Sequence, residues 1–267
     1  MQNILVMGGD TRQSLLSQKL NKMGYNTAPF EIGLTKRDFD RIILPYPTTK
    51  DGENLFAPLL NKTVSLESIY KYVKKGGMIL GGNMPKSFIK NSDYTFTDYA
   101  KNEKLLYKNA MLTAQAAISL IINRTKKPIY KSKILVIGLG RIGSLLTDYL
   151  KSLGANLTAV TGDSKKIECY SLMGIKTVKS EEILTVLNNQ DIIVNTSPNI
   201  LLSGENLKAV NQDTIYFELA SPPYGIDLKA AQKMSLQYEI ASGLPGKYFP
   251  ESACKYILEA ILPYLGE

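Results

Sequence analysis

A glycine-rich turn between an apolar segment and a helical segment constrains the fold of this chain more than any other feature. Residues 133–137 have the composition of a buried strand, and residues 138–143 follow with the spacing Gly-x-Gly-x-x-Gly before a helix-like segment. This order predicts a tight turn at Gly138, close approach of a pyrophosphate to Gly140, and close helix–strand packing at Gly143. We therefore expect a dinucleotide at the N-terminus of this helix, the alternative being a glycine turn that serves packing alone.

The rest of the chain alternates short apolar segments with helical ones, in two halves of similar order. The expected strands are 4–7, 40–45, 77–81, 133–137, 156–160, 191–195 and 214–219. Such alternation over 267 residues predicts an α/β fold, with two doubly wound Rossmann-like domains and parallel sheets around an interdomain cleft. We expect a Rossmann-like substrate and partner domain at 1–125, completed by a C-terminal helix within 246–267. A dinucleotide-binding domain is expected at 126–245, and a helix over 98–124 would span the two domains.

Composition excludes several kinds of chemistry. The chain has no histidine, so it cannot supply a Ser-His-Asp triad, histidine-assisted hydride transfer or a histidine-ligated metal. Its two cysteines, Cys169 and Cys254, have no metal-ligand spacing, so no metal site is expected and both are predicted to be small packing residues. The absence of a run of about 20 apolar residues and of a signal-peptide pattern favours a cytoplasmic protein.

The chain is basic, with a formal net charge of +8. This charge fits anionic ligands such as a dinucleotide and a carboxylate substrate, and it equally fits a basic solvated surface. Lysine and arginine are dispersed and not interleaved with aromatic residues, so no nucleic-acid surface is expected.

Several short motifs resemble those of one family and occur in one order over nearly the entire chain. They are Gly8-Gly9-Asp10-x-Arg12-Gln13, Asn109-x-x-x-Thr113, Gly138-Leu139-Gly140-Arg141-Ile142-Gly143, Ile193-Val194-Asn195-Thr196-Ser197-Pro198, Leu219-Ala220-Ser221 and Gly243-Leu244-Pro245-Gly246. With these motifs the chain resembles the A subunit of bacterial dipicolinate synthase.

The resemblance implies a function, a cofactor and a partner. It implies an oxidoreductase in the mother cell of a spore-forming bacterium, which forms dipicolinate (pyridine-2,6-dicarboxylate) from a dihydro or hydroxy-tetrahydro precursor of the lysine pathway. It further implies NADP or NAD as the hydride acceptor and, as the partner, the flavoprotein-like B subunit of dipicolinate synthase. A homo-oligomer remains open.

The chain departs from the family pattern at three places. Residues 218–225 read Glu-Leu-Ala-Ser-Pro-Pro-Tyr-Gly, where the family usually has Asp-Leu-Ala-Ser followed by Pro-Gly-Gly. Gln115 stands where glutamate is common, and residues 248–253 replace the more usual Val-Ala-Pro-Lys-Thr-Ala. Rings in place of glycine change the allowed backbone conformations and the available space. The resemblance therefore says less about which substrate binds than about which cofactor binds.

The choice between NADP and NAD is expected at the end of the strand that follows the glycine-turn helix. Hydroxyl and basic groups there favour the 2′-phosphate of NADP, whereas a carboxylate favours the ribose diol of NAD. The first group comprises Thr161, Ser164, Lys165 and Lys166, and the carboxylate is Asp163. An arginine that the family often has near Gly162 is absent, and the two lysines are equally compatible with the start of a solvated helix. The expected cofactor-binding residues are Gly138, Gly140, Arg141, Ile142, Gly143, Thr161, Asp163, Ser164, Lys165, Asn195, Thr196, Pro198, Ala220 and Ser221.

The implied reaction needs a site that holds two carboxylates, and orientation can supply much of the rate because the product ring is aromatic. Arg12, after a glycine turn at a strand end, and Lys247, after Leu-Pro-Gly, are candidates for carboxylate binding. Thr113 is expected to line the cleft, together with Asn109, the alternative being that the pair forms only a polar face of the helix. Glu218 and Asp10 are the carboxylates best placed to accept a proton. The expected catalytic residues are Arg12, Thr113, Glu218 and Lys247, and for Arg12 and Lys247 a surface role is an alternative of at least equal weight.

Two other functions remain open. The chain could be a dinucleotide-binding accessory or regulatory subunit without turnover of its own, as the missing histidine and the altered 222–224 segment allow. It could also be an NADP-dependent dehydrogenase of another small carboxylate, of the shikimate or methylene-tetrahydrofolate type, which shares a two-domain layout.

Overall fold

The structure, a computed structural model, describes residues 2–29 and 39–266. The chain divides into two compact units, one formed by Met1–Asn109 with Pro245–Glu267 and the other by Ala110–Leu244. The first division, after Asn109, falls inside a long helix and lies earlier than the boundary at residue 125 that the sequence predicts. The second division, after Leu244, assigns the C-terminal segment Pro245–Glu267 to the first unit.

The described residues form parallel strands and helices in alternation. The strands are β1 (Asn3–Val6), β2 (Asn26–Pro29), β3 (Phe39–Ile43), β4 (Val73–Gly81), β5 (Thr95–Asp98), β6 (Lys133–Ile137), β7 (Asn156–Thr161), β8 (Lys176–Lys179), β9 (Ile192–Asn195), β10 (Ile215–Glu218) and β11 (Gln237–Ile240). The α-helices are α1 (Thr11–Lys22), α2 (Glu103–Arg124), α3 (Arg141–Ser152), α4 (Ser164–Leu172), α5 (Leu184–Leu187), α6 (Gly204–Leu207), α7 (Leu228–Lys233), α8 (Leu244–Tyr248) and α9 (Pro250–Ile261).

Each unit contains one parallel sheet. The first sheet has the order β2-β1-β3-β4-β5 and the second the order β11-β10-β9-β6-β7-β8. The predicted pair of parallel α/β domains is therefore confirmed. The strand order reverses between β1 and β3 in the first sheet and between β6 and β9 in the second. Ligands of doubly wound sheets bind beyond the carboxyl ends of the strands at such a reversal.

The core of the first unit is completed by the C-terminal helix. Leu16 and Leu20 of α1 belong to the same buried cluster as Ile257 and Ile261 of α9. Helix α9 begins at Pro250, since a first helical position tolerates the missing N–H of proline. Burying an isoleucine or leucine side chain of this kind stabilises the fold by roughly 1.5–3 kcal/mol, so α9 is an integral part of the first unit.

The central strands of the second unit are buried along their whole length. All residues of β9 and all of β6 except Lys133 are buried. This pattern is typical of parallel strands covered by helices on both faces. On one face, Leu135 and Ile193 belong to a cluster with Leu207 of α6 and Ala231 of α7. The glycine turn thus follows a strand that is rigidly held.

Two expectations about local structure are wrong. The helix expected over 98–124 begins only at Glu103, because Asp98 ends β5 and accepts a hydrogen bond from the Ala100 N–H at 3.0 Å. Asn102 then accepts from the Leu105 N–H at 3.0 Å, as a helix cap does. Cys254 is buried, but Cys169 lies exposed on α4, so the packing role predicted for Cys169 is incorrect.

Helix α2, with 22 residues, is long and apolar enough to cross a membrane by length and composition alone. Its alanines at 110, 114 and 117 and its Ile121 are buried against the protein. Because the core helix of a soluble protein passes the same test, this helix is weak support for a membrane span. The fold is consistent with a cytoplasmic protein.

Candidate dinucleotide site

The reversal of strand order in the second unit brings two loops together. Gly138 follows β6 and donates its N–H to Val160 O of β7 at 2.8 Å, while Thr196 follows β9 and donates its N–H to Ile137 O at 2.8 Å. A cavity of about 410 Å³ opens between these loops and the end of β7. It lies beyond the carboxyl ends of the strands, where a doubly wound sheet binds its ligand.

The three glycines of the turn are required for three different reasons. Gly138 has a φ of +87°, a backbone conformation that side chains disfavour. A Cβ at Gly143 would lie 1.8 Å from Gly138 O, so only glycine allows α3 to start this close to β6. A Cβ at Gly140 would meet no heavy atom of residues 2–29 or 39–266 within 4 Å, which leaves open space above the backbone. The turn is therefore packed tightly on one side and open on the side of the cavity.

The N-terminus of α3 offers an anion site to this open space. Gly140 is the capping residue, and no side chain in the described part of the chain caps the helix. The first hydrogen bond of the helix is donated by the Ser144 N–H to Gly140 O at 3.0 Å. The N–H groups of a first turn and the helix dipole favour a phosphate. The residues present thus fit the pyrophosphate of a dinucleotide, with Arg141 and Ile142 in the first turn.

Thr196 fastens the glycine turn to the neighbouring strand. Its hydroxyl lies 2.8 Å from Gly138 O and 3.1 Å from Ile137 O, and it donates to these carbonyls. Thr196 and Pro198 both line the cavity. Thr196 therefore both holds the glycine turn in position and lines the cavity.

The end of β7 forms the opposite wall. Thr161, Gly162 and Asp163 line the cavity. The Asp163 carboxylate caps α4, since its Oδ1 accepts from the Lys165 N–H at 3.0 Å and from the Lys166 N–H at 3.4 Å. Ser164 and Lys165 are exposed and do not line the cavity, whereas Lys166 does.

Several cavity residues are missing from the set expected to bind the cofactor. They are Leu139, Val160, Gly162, Ser180, Ser197, Asn199 and Leu201, together with Lys166, which the sequence indicates only as one of the basic groups that favour a 2′-phosphate. Most of them come directly after an expected residue in the sequence. Their position next to a predicted strand end is the signal that could have identified them. Ser180 is different because it follows β8, and no motif in the sequence marks it.

Glu218, at the end of β10, is a fully buried carboxylate with four hydrogen-bond donors. Oε1 accepts from Asn195 Nδ2 at 2.7 Å and from the Ala220 N–H at 2.9 Å. Oε2 accepts from the Tyr216 hydroxyl at 2.8 Å and from the Gly225 N–H at 2.9 Å. Burial raises the pKa of Glu218, and its four donors act in the opposite direction. The carboxylate thereby holds the segment after β10 against β9.

The segment held by Glu218 contains the main departure from the family pattern. A Cβ at Gly225 would lie 2.2 Å from Asn195 Nδ2, so this glycine permits the close approach of the segment to β9. Tyr224 has a φ of +69°, an uncommon conformation for a residue with a side chain. Ala220 is buried and Ser221 is exposed. Neither lines the cavity described above.

In the first unit, Arg12 lies at the reversal between β1 and β3. Its Nε donates to Asp10 Oδ1 at 2.8 Å, and its Nη2 donates to Asp10 Oδ2 at 2.9 Å and to Tyr46 O at 2.9 Å. A Cβ at Gly246 would lie 2.6 Å from Asp10 Oδ2, so Gly246 packs on this pair. The structure thus brings Arg12 beside the glycine that precedes Lys247, which is exposed.

The remaining catalytic candidate, Thr113, is buried on α2, one turn after Asn109. Arg12 and Lys247 belong to the first unit, and Thr113 and Glu218 belong to the second.

Comparison with known proteins supports the resemblance to the dipicolinate synthase A subunit. Residues 3–99 match the family model described as the N-terminal domain of the dipicolinate synthase A subunit. The chain resembles this family over its whole length. The A subunit of dipicolinate synthase from Bacillus subtilis (strain 168) is 25% identical over 285 residues, which cover 99% of this chain and 96% of that protein. The resemblance predicted from the motifs is confirmed.

The second unit matches a dinucleotide-binding family. Residues 107–216 match the model described as D-isomer specific 2-hydroxyacid dehydrogenase, NAD binding domain. This match, together with the cavity at the glycine turn, supports a nicotinamide dinucleotide as cofactor. The chain is thus a dinucleotide-binding, oxidoreductase-like subunit.

Solved structures share the fold from end to end. The A subunit of dipicolinate synthase from Bacillus halodurans is 21% identical, with a TM-score of 0.87 over 100% of this chain and 98% of that chain. The corresponding structure from Bacillus subtilis is 24% identical, with a TM-score of 0.83 over 99% of this chain and 95% of that chain.

Proposed function

We propose that this chain is an NAD(P)-dependent oxidoreductase that forms dipicolinate from a dihydro- or hydroxy-tetrahydrodipicolinate precursor during sporulation. The observation that carries the proposal is the open glycine turn at the β6–β9 reversal, in a chain that resembles the dipicolinate synthase A subunit over its whole length. When bound, NADP or NAD accepts the hydride that leaves the substrate ring. The chain itself binds, orients and shields the reacting groups.

Gly140 and the N-terminus of α3 would hold the pyrophosphate of the dinucleotide. Thr196 keeps the glycine turn in place through its hydrogen bonds to two carbonyls. Because the product ring is aromatic, correct placement of the ring carbon supplies a large part of the rate enhancement. A rigid turn on a buried strand is suited to such placement.

Arg12 and Lys247 are the proposed carboxylate-binding residues. The Arg12 guanidinium is held in one orientation by Asp10 and Tyr46 O, and it lies at the carboxyl edge of the first sheet. Guanidinium groups recognise carboxylates with defined geometry. Thr113 is proposed to contribute a polar contact from α2.

Glu218 is proposed to be a positioning residue that holds its neighbours in place. Its four donors occupy both carboxylate oxygens, and the side chain has no exposure to solvent. It would therefore hold Asn195 and Ala220 in place, in preference to exchanging a proton with the substrate.

The partner proposed for this chain is the flavoprotein-like B subunit of dipicolinate synthase, and the proposed location is the cytoplasm of the mother cell of a spore-forming bacterium. Both follow from the resemblance to the dipicolinate synthase A subunit. Assembly of several copies of this chain is compatible with the same proposal.

The experiment is a product assay with purified chain. Freshly generated precursor is mixed with NADP or NAD, with and without the flavoprotein-like partner, and dipicolinate and reduced nucleotide are followed together. Equal amounts of both products, formed only when this chain is present, are expected. Nucleotide binding without product in every combination would favour an accessory role, and turnover of another carboxylate in a substrate panel would favour a different dehydrogenase.

Arg12→Ala tests the substrate site. We expect KM for the precursor to rise roughly tenfold or more, because a charge-assisted contact is lost, while NAD(P) affinity changes less than about twofold. Arg41→Ala is the control, since the side chain of Arg41, in the same unit, donates its Nε–H to Tyr264 O near the C-terminus. An unchanged KM in a folded Arg12→Ala protein would remove Arg12 from the site.

A further inference from the structure

Helices α3 and α4 both end in exposed apolar side chains. Leu153 caps the end of α3 and precedes Gly154. Leu172 and Met173 end α4 before Gly174, and both glycines have a positive φ. Leu172 has 91% of its surface exposed. The end of a helix is stabilised by lysine or arginine, yet residues 169–172 of α4 include neither. The fold therefore does not require the exposed apolar side chains at these positions.

The two helix ends lie beside each other. Lys151 Nζ, in the last turn of α3, donates to Met173 O at 2.6 Å. Tyr130 is exposed and covers the turn after α3, since a Cβ at Gly154 would lie 2.6 Å from Tyr130 Cδ2. The resulting exposed surface, which we call the apolar patch, comprises Tyr130, Leu153, Leu172 and Met173.

The apolar patch lies at the edge of the second sheet that is opposite the dinucleotide cavity. Strands β6, β7 and β8 are parallel neighbours, so their amino ends share one edge. Helices α3 and α4 end shortly before β7 and β8, and Tyr130 precedes β6. A partner at the apolar patch therefore leaves the cavity open.

Three lysines surround the apolar patch. Lys131 follows Tyr130, and its ammonium lies 5.3 Å from the centre of the Tyr130 ring. Lys176 begins β8, shortly after Met173, and the third is Lys151 with its bond to Met173 O. In the part of the chain that the structure describes, none of these lysines forms an ion pair. Their charges are therefore available to an anionic partner.

The carboxylates near the apolar patch do not cancel this charge. Asp148, one turn before Lys151, is hydrogen-bonded to Tyr170 of α4. Glu168, one turn before Leu172, is exposed. One exposed carboxylate thus stands against three lysines. An apolar surface with a positive rim is complementary to a partner that is apolar inside and anionic at its surface.

We propose that this edge docks the chain on an anionic lipid bilayer. Leucine, methionine and tyrosine side chains enter the boundary between headgroups and acyl chains, and the lysines bind anionic headgroups. A bilayer accepts a single protruding side chain such as Leu172, whereas a protein partner must supply a pocket that fits it. The docking is peripheral, and it is independent of what the cavity binds.

Co-sedimentation of the full chain with vesicles tests the docking. Vesicles of phosphatidylcholine with about one third phosphatidylglycerol are compared with vesicles of phosphatidylcholine alone, at low and at physiological salt. We expect the native chain to bind the anionic vesicles at least about tenfold more tightly, since each lysine near the surface adds to the attraction. The binding should weaken as salt increases, because salt screens the charges.

Two variants separate the apolar contribution from the charged one. Leu172→Gln is expected to weaken binding to anionic vesicles roughly fivefold to tenfold at either salt concentration. Lys176→Gln is expected to weaken it roughly fivefold at low salt and less at physiological salt. The matched controls are Leu59→Gln, at an exposed leucine of the first unit, and Lys229→Gln, at an exposed lysine in the first turn of α7. Both controls should bind as the native chain does, and all four variants should keep its thermal unfolding.

Several results would overturn the proposal. A native chain that does not bind anionic vesicles would leave an acidic protein surface as the occupant of the apolar patch. Equal binding by Leu172→Gln and the native chain would reduce the attraction to the net charge of +8. A loss of the same size in a control would place the contact elsewhere. Self-association of the native chain without lipid, measured by light scattering and abolished in Leu172→Gln, would assign the patch to a second copy of this chain.

Discussion

Single atoms decide whether the glycine turn can form and what it can bind. The same residue type serves opposite purposes at two positions of the turn. At Gly143 the missing Cβ lets two backbone segments touch, while at Gly140 it leaves space for a ligand. Substituting alanine for glycine at each of the two positions tests the two requirements separately.

Gly143→Ala is expected to destabilise the second unit by about 3 kcal/mol or more, since the new Cβ would overlap Gly138 O. Gly140→Ala is expected to keep the free energy of unfolding within about 0.5 kcal/mol, because its extended backbone accepts alanine, and to lose NAD(P) affinity. Chemical denaturation and nucleotide titration measure both effects. A Gly143→Ala chain as stable as the native one would contradict the packing, and full NAD(P) affinity in Gly140→Ala would contradict the pocket.

Glu218→Gln tests the buried network. Gln has one amide group in place of a carboxylate oxygen, so either the Ala220 N–H or the Gly225 N–H faces a donor. We expect a loss of about 1–3 kcal/mol in the free energy of unfolding. Glu205→Gln, at an exposed ion pair, is the control and is expected to stay within about 0.5 kcal/mol. Equal stability of the two variants would argue against the network.

At the scale of elements, one carboxylate ties β9 to β6. Asp191 Oδ2 accepts from the Lys133 N–H at 2.8 Å, Oδ1 pairs with Lys127 Nζ at 2.5 Å, and the Asp191 N–H donates to Lys133 O at 2.9 Å. Burial alone would raise the pKa of Asp191, but these donors and the lysine charges outweigh it and lower the pKa. The pair of central strands is thus joined at the ends opposite the cavity.

Asp191→Asn is expected to cost about 1–2 kcal/mol at pH 7. A carboxylate with a lowered pKa stabilises the folded state above the unfolded pKa of about 3.9, and this contribution is lost as pH falls through the folded value. The native chain should therefore lose stability more steeply than the variant below about pH 4. Denaturant titrations at pH 3 to 7 measure this, with the exposed Asp213→Asn as control. Parallel pH profiles of native and Asp191→Asn chains would refute the role of Asp191.

The strands that sequence patterns predict differ from those they miss in a systematic way. The central strands appear in the sequence as short apolar runs because both of their faces are buried. The strands not predicted are β2, β5, β8 and β11, and these are the edge strands of the two sheets. Edge strands are partly exposed, as the pattern of β8 illustrates, so their composition resembles that of loops.

At the scale of the whole molecule, the first unit is built from two separate parts of the chain. Helix α9 packs on α1 although more than half the sequence lies between them. The second unit is continuous. The two units therefore depend differently on the C-terminal segment.

A chain that ends at Leu244 is expected to lose the folded first unit, because Leu16 and Leu20 of α1 lose their apolar partners. The second unit should keep a cooperative unfolding transition and its NAD(P) affinity, which scanning calorimetry and titration measure. As a milder variant, Ile257→Ala in the full chain should cost roughly 2–4 kcal/mol in the first unit only. Two intact transitions in the truncated chain would contradict this dependence.

The sequence by itself determined the two parallel sheets, the glycine turn and the family resemblance, because these depend on local patterns: buried strand composition and the spacing of Gly138, Gly140 and Gly143. The contacts of the site residues do not depend on local patterns of this kind. The four donors around Glu218 come from three separate segments, and the reach of Lys166 to Leu139 O depends on how α4 packs beside the turn. Only the tertiary structure decided these contacts, since burial and hydrogen bonding are set by atoms that are distant in sequence.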